Sequence, residues 1–257
     1  MQVEKLKTID ADTLLITPLH KTLFVVEGLI PQGFSVLPGS SKIGKSRLML
    51  WLGIIQVASG NPLWEFRTDK CDVLYLCLED TYTRLQSRLY PLTDKAPSEL
   101  RIATTSYQIG CGLKQQIEQY LADYPMTKLV IIDTFQKVRE SKSISGKNGM
   151  YAGDYDDMSA LKDISDRYGI AVVVVHHVRK LRDANDPFNE VTGSTEITGV
   201  ADTSFILKRS RSSETGTLLA TGRDIAHQEL TLKFNKGSHL WELVEQKDMD
   251  DIRRENS

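Results

Sequence analysis

Gly39-Ser40-Ser41-Lys42-Ile43-Gly44-Lys45-Ser46 reads GxxxxGKS, and its flanks give that pattern a structural place. Phe34-Ser35-Val36-Leu37 before it is a short apolar run, as a buried strand requires. Arg47 to Ala58 after it carries Leu, Met and Trp at helical spacing, as a packed helix requires. Strand, glycine loop and helix in that order make a phosphate site. The glycines let the backbone wrap closely, so successive N–H groups point at phosphate oxygens. The helix beginning near Lys45 adds its positive N-terminal end. The Lys45 ammonium reaches β- and γ-phosphates, and the Ser46 hydroxyl is placed to hold Mg²⁺. Gly39, Ser40, Ser41, Lys42, Ile43, Gly44, Lys45, Ser46 and the following Arg47 are therefore read as the nucleotide-binding stretch.

Outside this stretch the chain alternates strand-like and helix-like segments. Asp72 to Leu78 is a near-continuous apolar run ending in Glu79-Asp80. Thr81 to Tyr90 reads as a helix with Arg84 and Arg88 one turn apart. Leu100 to Thr104 is a weaker strand, and Leu113 to Tyr124 an amphipathic helix. Lys128 to Thr134 is a second strong strand, and Gly169 to Val175 a third that ends in His176-His177. Apolar runs of this kind suit parallel strands covered on both faces. Polar stretches at 140–153 and 179–198 read as loops, with a helix from Tyr155 to Tyr168 between them. From Thr203 to Val244 four short strand-like runs are separated by turn-prone residues, as in antiparallel hairpins. The segment before Leu23 is mixed and irregular, and the residues from Glu245 onward are highly charged. The expected fold is α/β: a mostly parallel twisted sheet flanked by helices, with a C-terminal antiparallel β-hairpin extension.

The bulk numbers narrow the partners. A net charge of −2 over 257 residues gives no general pull towards nucleic acid or anionic membrane, so any DNA contact must come from local basic patches. Cys71, Cys77 and Cys111 form no CxxC pair and are odd in number, which points away from a zinc site or disulfide framework and towards a reducing cytoplasm. No apolar run reaches transmembrane length, so no membrane partner is expected.

In a doubly wound sheet ligands bind at the C-terminal ends of the strands. Asp133 closes a hydrophobic strand, and its carboxylate is expected to hold Mg²⁺ with Ser46, directly or through water. Glu79 is the favoured base for the attacking water, with Asp80 as competitor or helix cap. His176 and His177 face opposite ways on a strand, so one ring is available to the γ-phosphate. Arg223 follows a strand and is the leading candidate to reach a neighbouring subunit's nucleotide, an effect worth ~10³–10⁵ in rate. Arg209, Lys208, Arg84 and Arg88 are its rivals.

These pieces in this order resemble the RecA-like P-loop ATPases, specifically the RepA-type hexameric replicative helicases of plasmids and phages. The likeness runs from about Val26 to Leu243 and rests on Gly39–Ser46, Leu76–Asp80, Leu129–Thr134, Val174–His177 and Thr192–Asp202. Glutamate on the strand after the phosphate loop points to the RecA-like branch, since Asp133 is followed by Thr134 and not by a second carboxylate. The resemblance implies residues 23–245 as one ATPase domain, 1–22 as an N-terminal segment and 246–257 as a tail or a linker to a further C-terminal part. It implies a homohexameric ring with ATP at each interface and single-stranded DNA in the channel. The two polar stretches match the channel loops, which makes Lys142, Lys147, Lys180 and Arg182 the expected DNA contacts. His177, or its neighbour, would couple phosphate release to loop movement. Two features depart from the pattern. Thr221 stands where a lysine often precedes the finger arginine, and Phe188 is the only aromatic candidate for base stacking in the second loop. Three other readings stay open: a recombinase or mediator, a nucleotide-gated regulatory ATPase, and, more weakly, a small-molecule kinase.

Overall fold

The computed structural model describes residues 6–19, 21–140, 147–177, 199–210 and 212–248, without the side chains of 54–56 and 147–152. Its centre is a nine-stranded sheet. Six strands run parallel: β3 (Gly33–Gly39), β4 (Asp72–Cys77), β5 (Leu100–Ala103), β6 (Thr127–Asp133), β7 (Ala171–His177) and β8 (Thr203–Arg209). β9 (Thr215–Gly222), β10 (Gln228–Phe234) and β11 (Trp241–Asp248) continue it as an antiparallel meander beside β8. The spatial order is β11-β10-β9-β8-β3-β7-β6-β4-β5. A small hairpin of β1 (Phe24–Val26) and β2 (Ile30–Pro31) precedes the sheet.

Strand alternation sorts the core into two layers. Leu37, Val73, Tyr75, Ile131 and Val173 face α2 (Lys45–Trp51), its π-helical continuation Leu52–Val57, and α3 (Tyr82–Leu89). Phe34, Val36, Leu74, Val130, Ile132 and Val172 face α4 (Leu113–Asp123), α5 (Phe135–Val138) and α6 (Lys147–Tyr168). Helices on both faces explain why these strands read as unbroken apolar runs. Gly53 lets the π-helical turn sit against the sheet, since a Cβ there would lie 2.7 Å from Ile131 Cδ1. Among the described residues no helix is long and apolar enough to cross a membrane.

Four local expectations change. The N-terminal segment is not wholly irregular: α1 (Ala11–Ile16) forms there, capped by Asp10, whose Oδ1 accepts from Thr13 N at 2.9 Å. The stretch 140–153 is not all loop, because α6 begins at Lys147. Its mid-helix carboxylates supply the reason: Asp154 pairs with Arg139 at 2.7 Å, and Asp157 accepts from Glu140 N at 2.8 Å. The helix after the phosphate loop changes to π geometry at Leu52. Finally, β11 runs on to Asp248, past the point where a frayed charged tail was expected, because residues 245–248 pair with β10.

Candidate active site

Four neighbouring strands end together. β3 pairs with β7, β7 with β6, and β6 with β4, so the residues after their C-terminal ends share one edge of the sheet. Register makes the meeting tight: Gly39 stands opposite His177, Asp133 opposite Val175, and Cys77 opposite Asp133. Lys45, His177, Asp133 and Glu79 are thereby brought to one place from positions far apart in the chain.

Lys45 is 3% exposed. Its ammonium donates to the carbonyls of Gly39 at 2.7 Å and Ser40 at 2.8 Å, and lies 3.1 Å from His177 Nδ1. Burial pulls its pKa down to about 8, against the opposing pull of Asp133 and Glu79. An ammonium has only protons to give, so Nδ1 of His177 accepts and its Nε2 carries the hydrogen. Nε2 lies 3.5 Å from Glu79 Oε2, while Glu79 Oε1 accepts from Thr134 Oγ1 at 3.1 Å. Lysine, histidine and glutamate thus form one chain of polar contacts across the phosphate-loop mouth.

Asp133 is 2% exposed, and burial raises its pKa, with the Ser46 and Tyr75 hydroxyls acting in the opposite direction. Oδ2 accepts from Tyr75 OH at 2.9 Å. Oδ1 is buried without a hydrogen-bond partner among the described residues. A buried, unpartnered carboxylate oxygen beside a serine hydroxyl is a fitting donor pair for a hard cation or its water.

The two histidines separate as strand alternation requires. His177 turns to the phosphate loop. His176 turns to the opposite layer, where its ring meets the edge of Phe135 at 5.3 Å between centroids. Burial first, then the charges of His177, Arg139 and Lys45, lower its pKa to about 4, so it is a neutral core residue at physiological pH. Gln136 was not singled out in the sequence. Its Nε2 donates to His176 Nδ1 and to the His177 carbonyl, both at 2.9 Å, and so clamps the end of β7 to α5.

Asp80 does not cap the helix that follows Glu79. Thr81 does, accepting from Arg84 N at 3.3 Å. Asp80 instead pairs with Arg88 and, at 3.8 Å, with Arg84, which occupies both arginines within their own subunit. Arg47 extends the site sideways. Its Nη1 is 3.0 Å from His239 Nδ1, and its guanidinium lies over the Phe234 ring at 5.4 Å. A cavity of about 60 Å³ opens between Arg47, Ser87, Arg88, Leu92 and His239. Trp241 supports the loop from beneath: a Cβ on Gly44, whose φ is +106°, would lie 2.9 Å from Trp241 Cζ2.

Arg223 is not at this edge. It follows β9 where Gly222 pairs with Thr203, and its N–H donates to Asp202 O at 2.9 Å. Asp202 Oδ2 accepts from Phe34 N, at the start of β3, and also meets Lys162. Arg223 therefore sits at the far end of the sheet, about 20 Å along β3 from its own phosphate loop. Arg209, a rival, is at the near end, with its guanidinium 5.1 Å from both the Phe234 and Trp241 rings. Of the expected DNA contacts, Lys142, Lys180 and Arg182 lie outside the described residues. Lys147 opens α6, and its side chain is not described.

Comparison with known proteins agrees with this geometry. Residues 2–183 match the family described as AAA domain. A search of curated protein sequences finds no match. Among solved structures, one isolated ATPase domain aligns with a TM-score of 0.66 at 15% identity, over 83% of this chain and 85% of that one. The structure of a DnaB-like replicative helicase and its interactions with primase aligns with a TM-score of 0.66 at 14% identity, over 93% and 69%. At these identities the likeness is one of fold: a RecA-like ATPase domain with a mostly parallel sheet and a C-terminal antiparallel extension.

Proposed function

Because the chain belongs to the AAA-domain family of ATPases, we propose that it is an ATP-driven DNA motor. It works as a ring-shaped, homohexameric replicative helicase of the RepA type in the cytoplasm, on a plasmid, phage or other mobile element. The observation that carries this reading is the convergence of Lys45, His177, Asp133 and Glu79 on four adjacent strand ends.

In this reading backbone N–H groups from Gly39 to Ser46 cradle the phosphates, and the Lys45 ammonium leaves Gly39 O and Ser40 O for the β- and γ-oxygens. The nucleoside extends past Arg47 towards His239. Ser46 and Asp133 would hold Mg²⁺, which when bound supplies positive charge to the phosphate oxygens. Glu79, steadied by Thr134, takes a proton from water as its oxygen attacks the γ-phosphorus, and the bond to the ADP oxygen breaks. His177, released from Lys45, meets the γ-phosphate and carries its loss to the 178–198 segment through the end of β7. Arg223 completes a neighbouring subunit's site. Lys142, Lys147, Lys180 and Arg182 meet the backbone of single-stranded DNA.

Steady-state hydrolysis with and without single-stranded DNA tests the reading, with Lys45→Ala and Glu79→Gln as controls. The expected result is stimulation by DNA that both variants lose. Hydrolysis indifferent to DNA across a range of salt would replace the motor with a nucleotide-gated regulator. DNA stimulation with extended filaments and no unwinding would replace it with a recombinase.

A further inference from the structure

Tyr75 has no part in the chemistry described so far, yet its hydroxyl lies inside the site. The residue is on β4, 1% exposed, in the layer packed against α2. Its surroundings are apolar core, where phenylalanine would serve for packing alone. A buried hydroxyl is costly there unless bonded. The bond it makes is to Asp133 Oδ2, at 2.9 Å, across the β4–β6 pair. The other acceptor in reach, Ser46 O, is at 3.5 Å, the outer limit of a hydrogen bond. The single phenolic proton therefore belongs to the carboxylate, the closer and more strongly accepting partner.

This bond makes the two Asp133 oxygens unequal. Oδ2 is occupied and fixed. Oδ1 is buried and unpartnered among the described residues. A carboxylate on a short side chain turns about its last bond unless something holds it. Resting on the reading of Ser46 and Asp133 as the Mg²⁺ site, we propose that Tyr75 is a positioning residue for that metal: it pins Oδ2 so that Oδ1 is the oxygen presented to the cation or its water. Outer-shell partners of this kind set ligand orientation. Tyr75 also stands four residues before Glu79 on the same stretch, so the strand that leads to the proposed base also orients the metal carboxylate.

The test is Tyr75→Phe, which keeps the ring and removes only the hydroxyl. Affinity for a fluorescent ATP analogue is measured as a function of Mg²⁺, and separately in EDTA, beside the thermal midpoint of the free protein. The expected result is about a tenfold or greater rise in the Mg²⁺ needed for half-maximal tightening. Affinity in EDTA stays unchanged, and high Mg²⁺ restores binding. Tyr75→Phe introduced into Asp133→Asn should add nothing further to the Mg²⁺ requirement. An unchanged Mg²⁺ requirement in Tyr75→Phe, while Asp133→Asn raises it, overturns the positioning role and leaves the metal site intact. An unchanged requirement in Asp133→Asn itself overturns the metal site, and the proposal with it.

Discussion

Lys45 carries a buried positive charge next to a histidine that also faces it. Its folded pKa, about 8, lies below the ordinary lysine value of 10.5. The unfolded chain therefore holds that proton more tightly than the folded one. The cost to stability is complete below about pH 8 and is lifted as pH rises towards 10.5. Phosphate needs the ammonium, so nucleotide affinity should fall above about pH 8, by up to tenfold per pH unit. Fluorescent-nucleotide titration across that range would show the slope, and Lys45→Met should bind weakly but without it. Glu79 makes a different prediction. Glu79→Gln keeps the Thr134 contact within reach but cannot take a proton, so kcat should fall ~10²–10⁴-fold with nucleotide affinity little changed. Activity surviving in that variant would remove Glu79 as the base.

The element that does most for the site without touching the chemistry is the C-terminal meander. Trp241, at the start of β11, is buried beneath the phosphate loop, and its carbonyl accepts from Trp64 Nε1 at 2.7 Å. Truncation to alanine should cost ~3–5 kcal/mol in urea denaturation and loosen the loop it supports. Gly44→Ala should weaken nucleotide binding, because the new Cβ meets the rigid indole and the backbone is left-handed there. The parallel strands were legible in the sequence because burial on both faces writes itself as unbroken Val, Ile and Leu. The phosphate loop, Asp133, Glu79 and the histidine pair were legible because each punctuates a strand end. The first turns of α6 were not. Gly149 and Gly153 argue against helix, and the Arg139–Asp154 and Glu140–Asp157 contacts that accompany the helix join residues distant in sequence. Nor were Tyr75 and Gln136, whose roles come from strand register and not from any motif. The end of β11 was hidden by charge, which an exposed edge strand carries as protection against further pairing.

At the scale of the whole molecule, the sheet separates what the site needs from what it contains. Lys45 and Glu79 are at one end, and Arg223 is at the other, tied to Asp202. A finger there can serve only a second copy, and head-to-tail contacts that repeat this relation close into rings or extend as filaments. The exposed apolar residues of the N-terminal segment, Leu15 and Ile16 among them, leave α1 without a partner within the described residues. Sharing of the site between copies is the claim on which ring and motor both depend. Mixing Lys45→Ala with Arg223→Ala tests it most directly. Each variant alone should hydrolyse ATP far more slowly than the native protein. An equal mixture should recover activity, because about a quarter of randomly formed interfaces join an intact phosphate loop to an intact arginine. A mixture no more active than its components, or full activity in Arg223→Ala alone, would contradict the account.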